Sequence, residues 1–372
     1  MSTLREHVRL IASVFFPENI CATRSVKNSA LSDVGVKKLI NDPFRVTVES
    51  IEGFTCAYNQ LLKLVQPHVV ARKRAPISGK VGVVVGGGSG HEPLFIGWVG
   101  YGMADAAVLG EVFSAPSPPM ILDATRAANG GKGVLYVYGN YVGDKMNFDI
   151  AAESAKAEGI ETATVRVWDD VASASPDKVQ ERRGLAADLF VIKVAGAKAE
   201  ERASLSEVRK MAEKARDNSR TFAVALSPAI VPTSGQPTFT IGEREMYFGI
   251  GAHGEKGTRK SGMLSADETA RVLVNEVIKD LPFKEGDEVN VIVNGYGSTT
   301  LMELFIVNRK THQLLNDLGV RIHRTEVGNF LTSQEMAGCS VTLMRLDADL
   351  KKYFDAPAVT PAYRWCTGIP ES

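Results

Sequence analysis

At 372 residues the chain exceeds the size at which a single hydrophobic core stops growing, so two domains are expected. Hydrophobic residues make up 44%, charged residues 23%, and 43 Lys+Arg balance 43 Asp+Glu, which excludes a chain-wide field for nucleic acid or anionic membrane. No stretch reaches the roughly 18 to 20 apolar residues of a membrane span, and the run from Leu10 to Phe16, broken by Ser13 and preceded by Glu6 and His7, does not read as a secretory signal.

A cytoplasmic protein is therefore expected. Cys21, Cys56, Cys339 and Cys366 are scattered without a C-x-x-C pair, which suits reduced thiols better than a disulfide framework or a zinc ribbon. Residues 1–34 read as an appendage: a short amphipathic helix from Leu4 to Phe15, Pro17, then a polar stretch. A helix is expected from Thr47 to Val65, where Val48, Ile51, Phe54, Leu61 and Leu62 recur at helical spacing. Strands are then expected at 81–85, 106–109, 133–138, 162–168, 221–226, 245–250, 289–293, 320–327 and 340–345. Helices are expected at 148–158, 205–217, 266–281 and 299–318. This alternation is the α/β signature, with parallel or mixed sheets flanked by helices. The charged stretch from Lys198 to Arg220 marks the expected boundary between α/β domains at 35–200 and 201–372.

Three segments carry candidate chemistry. The first is VGVVVGGGSGHEP, residues 81–93, a valine-rich strand running into Gly86, Gly87, Gly88, Ser89 and Gly90, then His91 and Glu92. Glycines at the carboxyl end of a strand let backbone N–H groups approach a ligand, and ligand sites of α/β sheets lie at that end. The letters fit neither a Walker A loop, because His91 follows Gly90 where Lys is needed, nor a G-x-G-x-x-G fingerprint started at Gly86.

The second is GNYVGDKMNF, residues 139–148, on a strand-to-helix loop; Asp144 reads either as a helix cap or as a base for a substrate hydroxyl. The third is FGIGAHGEKG, residues 248–257, where Gly249, Gly251, Gly254 and Gly257 leave His253 on a bare loop. An imidazole whose other nitrogen is held can attack a carbonyl. Metal binding fits less well, since no second His or Cys stands at ligand spacing. His7, His68, His312 and His323 read as structural or solvated, and 114–119 and Arg182-Arg183-Gly184 as loops able to line a cleft.

Taken together these segments resemble the dihydroxyacetone-binding (K) subunit of dihydroxyacetone kinase, over about Lys37 to Trp365. The resemblance rests on KLIND (38–42), GGGSGHEP (86–93), GEVFSAPSP (110–118), NYVGD (140–144), DDVA (169–172), ERRGLA (181–186), MYFGIGAHGE (246–255) and DAPAVTPAYRW (355–365). It implies two α/β domains, a homodimer, and a hydroxyketone held as a hemiaminal by attack of His253 on C2. Gly88, Ser89, Gly90 and His91 would contact the substrate, and Asp144, assisted by His91, would take the proton of the hydroxyl that receives phosphate. No cofactor is expected on this chain. ATP or ADP and Mg are expected on a separate L-type nucleotide-binding subunit, charged by ATP or by a phosphotransferase-system phosphoprotein. One position departs from the family: Gly139 stands where a Lys usually precedes the Asn-Tyr pair. A donor is lost and space is gained, which points to a larger ketose such as erythrulose. A ketone-binding transcriptional coactivator is the alternative without catalysis, and the presence of His91 and Asp144 favours the enzyme.

Overall fold

A computed structural model describes residues 37–366; the expected helix from Leu4 to Phe15, the 1–34 appendage, His7 and Cys21 lie outside them. The first helix, α1 (Val46–Ala57), stops eight residues before the expected end. Leu62 instead opens β1 (Leu62–Gln66), which turns at Pro67 and His68 into β2 (Val69–Arg72) and pairs Leu62 with Arg72. Proline cannot continue a helix, and the β-branched Val65, Val69 and Val70 suit a pleated hairpin. Helical spacing and a short apolar run coincide here, and the hairpin prevails.

Next in the chain come β3 (Gly82–Ser89), β4 (Ala106–Val112), α2 (Pro118–Ala128), β5 (Val134–Gly139), α3 (Val142–Ala157) and β6 (Thr162–Val167). These strands and the hairpin form one six-stranded sheet in the order β1-β2-β4-β3-β5-β6. The β4, β3, β5 and β6 pairings are parallel and the hairpin side is antiparallel. From β3 the chain moves to the strand on one side, and from β5 it moves to the other. The carboxyl ends of β3 and β5 therefore flank a topological switch point, where open sheets hold ligands.

A second six-stranded sheet is ordered β11-β10-β12-β7-β8-β9. Its strands are β7 (Ser219–Ala225), β8 (Glu245–Phe248), β9 (Arg259–Gly262), β10 (Glu288–Gly295), β11 (Arg321–Gly328) and β12 (Gly338–Arg345). Helices α4 (Asp188–Glu200) and α5 (Leu205–Asp217) join the sheets, while α6 (Ala266–Asp280) and α7 (Leu301–Asp317) belong to the second. The chain finishes with α8 (Ala348–Asp355) and the short pair β13 (Ala358–Val359) and β14 (Arg364–Trp365). Helices α5 and α6 start where sequence places them and α7 two residues later, and Ser204, Ser265 and Thr300 each close a capping box with the Glu three residues on. Helix α4 escaped the sequence reading: nearly all its side chains are buried, so it has no polar stripe to signal a helix. The largest apolar core takes residues from both sheets, including Val83, Val137, Ala223 and Ile292. Among the described residues no helix is long and apolar enough to cross a membrane.

The glycine run differs from the expected loop. Gly86 to Ser89 are the last residues of β3 and pair in parallel with 108–112 of β4. A Cβ on Gly87 would stand 2.6 Å from the Phe95 ring, and one on Gly88 2.7 Å from the Ser114 backbone nitrogen. Only at Gly90 does the run leave the strand, at φ +90°, where a side chain would be strained. Gly88→Ala must displace backbone, so it is expected to cost about 1–3 kcal/mol of stability in urea unfolding.

Candidate active site

Four chain segments converge on the switch point. Two residues beyond β3 stands His91; Asp144 is the third residue of α3, just after β5; Asp188 opens α4; and His253 lies on the loop between β8 and β9. With Gly86, Gly87, Gly88, Leu94, Phe95, Gly139, Tyr141, Gly184, Ala252 and Leu331 they line one small cavity. Asp144 is thus in the first helical turn, where the helix dipole favours its anion, and Tyr141 occupies the cap position assigned to neither reading of the loop.

The two imidazoles meet across the cavity with His91 Nε2 and His253 Nε2 2.9 Å apart. Their other nitrogens settle the protons. His91 Nδ1 lies 2.7 Å from the Thr332 carbonyl, which only accepts, so that nitrogen carries hydrogen. His253 Nδ1 lies 2.7 Å from Glu255 Oε1, and the same carboxylate accepts the His253 backbone N–H at 2.9 Å through Oε2. Two Nε2 atoms in contact, each with its Nδ1 protonated, need one shared proton between them. Burial, then the neighbouring charge of His253, lowers His91 to about 3. Glu255 is opposed by its own burial, yet the hydrogen bond and charge of His253 bring it down to about 2. In the resting pair His253 is held by the Glu255 carboxylate and faces the neutral imidazole of His91.

Aromatic rings hold this pair in place. Phe113 stacks on His91 at 5.0 Å between centroids, and Tyr141 meets His253 edge-on at 4.7 Å. The Tyr141 hydroxyl donates to the Gly184 carbonyl at 3.0 Å. Asp144 is 8% exposed, and its Oδ1 has no hydrogen-bond partner among the described residues. Burial raises its carboxyl to about 7, against a partial counter-effect of the His253 charge. A buried carboxyl poised near neutrality beside an imidazole is suited to general acid–base work.

The residues singled out from sequence divide into two places. Gly88, His91, Asp144 and His253 share the cavity, whereas Ser89 and Gly90 line a neighbouring cleft with Lys38, Thr47 and Gln334. The Ser89 hydroxyl is 2.8 Å from Thr47 Oγ1 on α1, and the Gly90 N–H donates to Glu92 Oε1 at 3.1 Å. The split falls at the end of β3: Gly86, Gly87 and Gly88 border the cavity, while the Ser89 side chain meets α1 and Gly90, at φ +90°, leaves the strand. The space at Gly139 is not open: a Cβ there would stand 3.1 Å from the Tyr141 ring, which leans over it. The histidines read as structural are bonded accordingly, His68 to the Leu109 carbonyl, His312 to Thr325 and His323 to Asp355. Of the arginine turn only Gly184 reaches the cavity; Arg182 pairs with Asp280, and Arg183 with Asp170.

Sequence reasoning missed Glu255, Tyr141, Asp188 and Thr332. Glu255 and Tyr141 lay inside segments already singled out, so the signal was present. Thr332, 241 residues from His91, had none.

A protein-family profile, the Dak1 domain, matches residues 52–362. The chain belongs to the Dak1-domain family. It is 40% identical over 331 residues to the dihydroxyacetone-binding subunit DhaK of a PTS-dependent dihydroxyacetone kinase of Listeria innocua, covering 88% of this chain and 99% of that one. It is 44% identical over 327 residues to the D-erythrulose kinase of Mycolicibacterium smegmatis, with 88% of this chain covered but only 56% of that enzyme's length. Among solved structures, the dihydroxyacetone kinase operon co-activator Dha-DhaQ superposes with a TM-score of 0.80 at 32% identity, covering 85% of this chain and 98% of that chain.

The raised pKa of Asp144 is directly measurable. With aspartate carboxyl carbons isotopically labelled, a resonance titrating near pH 7 is expected to vanish in Asp144→Asn, while that of Asp170, which burial also raises to about 7, remains.

Proposed function

We propose that this chain is the substrate-binding subunit of a hydroxyketone kinase of the dihydroxyacetone type, acting in the cytoplasm, and that it holds the ketone covalently on His253. The observation that carries this reading is the imidazole pair, His253 oriented by Glu255 and 2.9 Å from His91, with a buried carboxyl in the same cavity. A ketone entering between the rings parts them, and the shared proton goes to His91 Nε2. His253 Nε2 then attacks C2, the carbonyl electron pair moves to oxygen, and His91 delivers its proton there. The product is a hemiaminal on a His253 ring that keeps one positive charge against Glu255, so charge and protons balance.

Covalent capture distinguishes ketones from polyols, whose hydroxyls look alike to hydrogen-bonding groups. It also fixes the terminal hydroxyl, and phosphoryl transfer depends chiefly on such positioning and on electrostatics. Asp144 takes the proton of that hydroxyl, with His91 assisting, and Gly88 lets the backbone approach the substrate.

The phosphoryl group comes from a separate L-type subunit carrying ATP or ADP with Mg, charged by ATP or by a phosphotransferase-system phosphoprotein. Among the described residues no cluster of three His, Cys, Asp or Glu side chains is placed to hold a metal, and no step here is routed through one. The protein acts as a homodimer. One feature supports a tetrulose as a second substrate class: 44% identity to an enzyme named as a D-erythrulose kinase. A coactivator of the kind the co-activator neighbour is named for would need His253 to sense a ketone. It would have no use for the buried base Asp144, which favours the enzyme.

Intact-protein mass after incubation with dihydroxyacetone or erythrulose, under gentle ionisation, tests the reading. A gain equal to the ketone that disappears in His253→Ala is expected, and no gain with any short ketose would overturn covalent capture. Glu255→Ala is expected to slow capture by about 10²-fold, because the ring loses its orienting carboxylate. With the nucleotide-binding subunit added, turnover is expected to fall about tenfold per pH unit below about 7, where Asp144 is protonated and no longer a base. Asp144→Asn should lose about 10²–10⁴-fold in turnover yet keep the adduct.

A further inference from the structure

The mechanism leaves one group of the cavity unused. Asp188 is 2% exposed, lines the same cavity as His91, Asp144 and His253, and its Oδ1 has no hydrogen-bond partner among the described residues. Among the described residues no salt bridge reaches it either: the arginines before it are paired elsewhere, Arg182 with Asp280 and Arg183 with Asp170. Its structural duties are already taken. The N–H groups of Leu185 and Ala187, at the entry to α4, donate to Asp169 at 2.7 and 3.0 Å, so Asp188 is not needed as a cap.

An unpartnered buried carboxyl is destabilising. A site built to hydrogen-bond a substrate hydroxyl shows such an orphan, because its partner arrives with the ligand. Its position says which part of the ligand. Asp188 follows four residues after Gly184, whose Cα lies against Gly139: a Cβ on Gly184 would stand 2.6 Å from the Gly139 Cα. The carboxyl therefore belongs to the side of the cavity where Gly139 presents no side chain and only the Tyr141 ring intervenes.

Resting on the reading of the chain as a hydroxyketone-capturing subunit, we propose that Asp188 is a specificity-determining residue that binds the additional terminal hydroxyl of a four-carbon ketose, a group a triose lacks. The two carboxyls then divide their work. Asp144 serves the hydroxyl that is phosphorylated, and Asp188 the hydroxyl at the far end. Burial, with the charges of Asp169 and Asp144 added, raises Asp188 well above the usual carboxylate range. While Asp144 ionises, Asp188 keeps its proton and donates it in a hydrogen bond.

The test compares affinities of the whole chain for erythrulose, dihydroxyacetone and 1,3-dihydroxybutan-2-one, which is erythrulose without its C4 hydroxyl. Unaltered protein is expected to bind erythrulose about tenfold or more tightly than the deoxy analogue. In Asp188→Ala that ratio should fall to about twofold while dihydroxyacetone binding stays within about threefold, and Asp188→Asn, whose amide still donates, should retain most of it. The thermal midpoint of Asp188→Ala is expected to match or exceed that of the unaltered protein, since an unpartnered carboxyl is removed. Equal affinity of unaltered protein for erythrulose and its deoxy analogue would overturn the proposal without any variant being needed. Equal weakening of triose and tetrulose in Asp188→Ala would also overturn it, leaving a structural role. Capture of no ketose at all would overturn both this inference and the reading beneath it, whereas capture of the triose without these differences overturns the inference alone.

Discussion

His91 and His253 stand 162 residues apart in the chain, on different sheets, and their Nε2 atoms are in hydrogen-bond contact. Everything at the site depends on that contact being made from both sides with the correct nitrogens. Each ring is held by its Nδ1: one by a backbone carbonyl, which only accepts, the other by a carboxylate. With both Nδ1 atoms committed, the facing nitrogens have one proton between them, and the pair becomes a store from which a proton can be drawn as a bond forms. A ring free to flip would lose this property, which is why Phe113 and Tyr141 pack against the pair.

Burial then separates groups that would titrate together in water. The same dry cavity that lowers His91 to about 3 raises Asp144 to about 7, because desolvation always penalises the charged form. Glu255 is the exception, and the reason is local: it is bonded twice to His253, and attraction outweighs desolvation. Asp188 has no such partner and rises furthest. Three carboxyls within one site thus occupy three protonation regimes, set by whether a cation is in reach.

Much of the architecture was legible in the chain. Alternating apolar strands and amphipathic helices placed most of the elements of both sheets, and α5, α6 and α7 followed their Ser or Thr and Glu capping signals. Two of the errors share one cause. Where periodicity and burial compete, local pattern misleads: Leu61 and Leu62 fitted a helix and fold as the start of a hairpin, and α4, buried all round, showed no periodic stripe. The glycines after Val85 suggested a loop, yet their small size serves close packing within a strand, against Phe95 and the chain at Ser114.

The site was half legible for the same kind of reason. His91, Asp144 and His253 lie in glycine-bearing segments at the ends of strands, a local property that sequence displays, and they mark where chemistry is placed. Which groups face each other is not local. Gly88 borders the cavity while Ser89 bonds to Thr47 on α1, and Thr332 reaches His91 only because two sheets meet. Protonation is further still from the letters: an aspartate at 144, 188 or 170 is the same residue in the chain. Only the three-dimensional neighbourhood separates them: burial beside Arg183 leaves Asp170 at about 7, like Asp144, whereas Asp188, buried near the carboxyls of Asp169 and Asp144, is raised well above the usual carboxylate range.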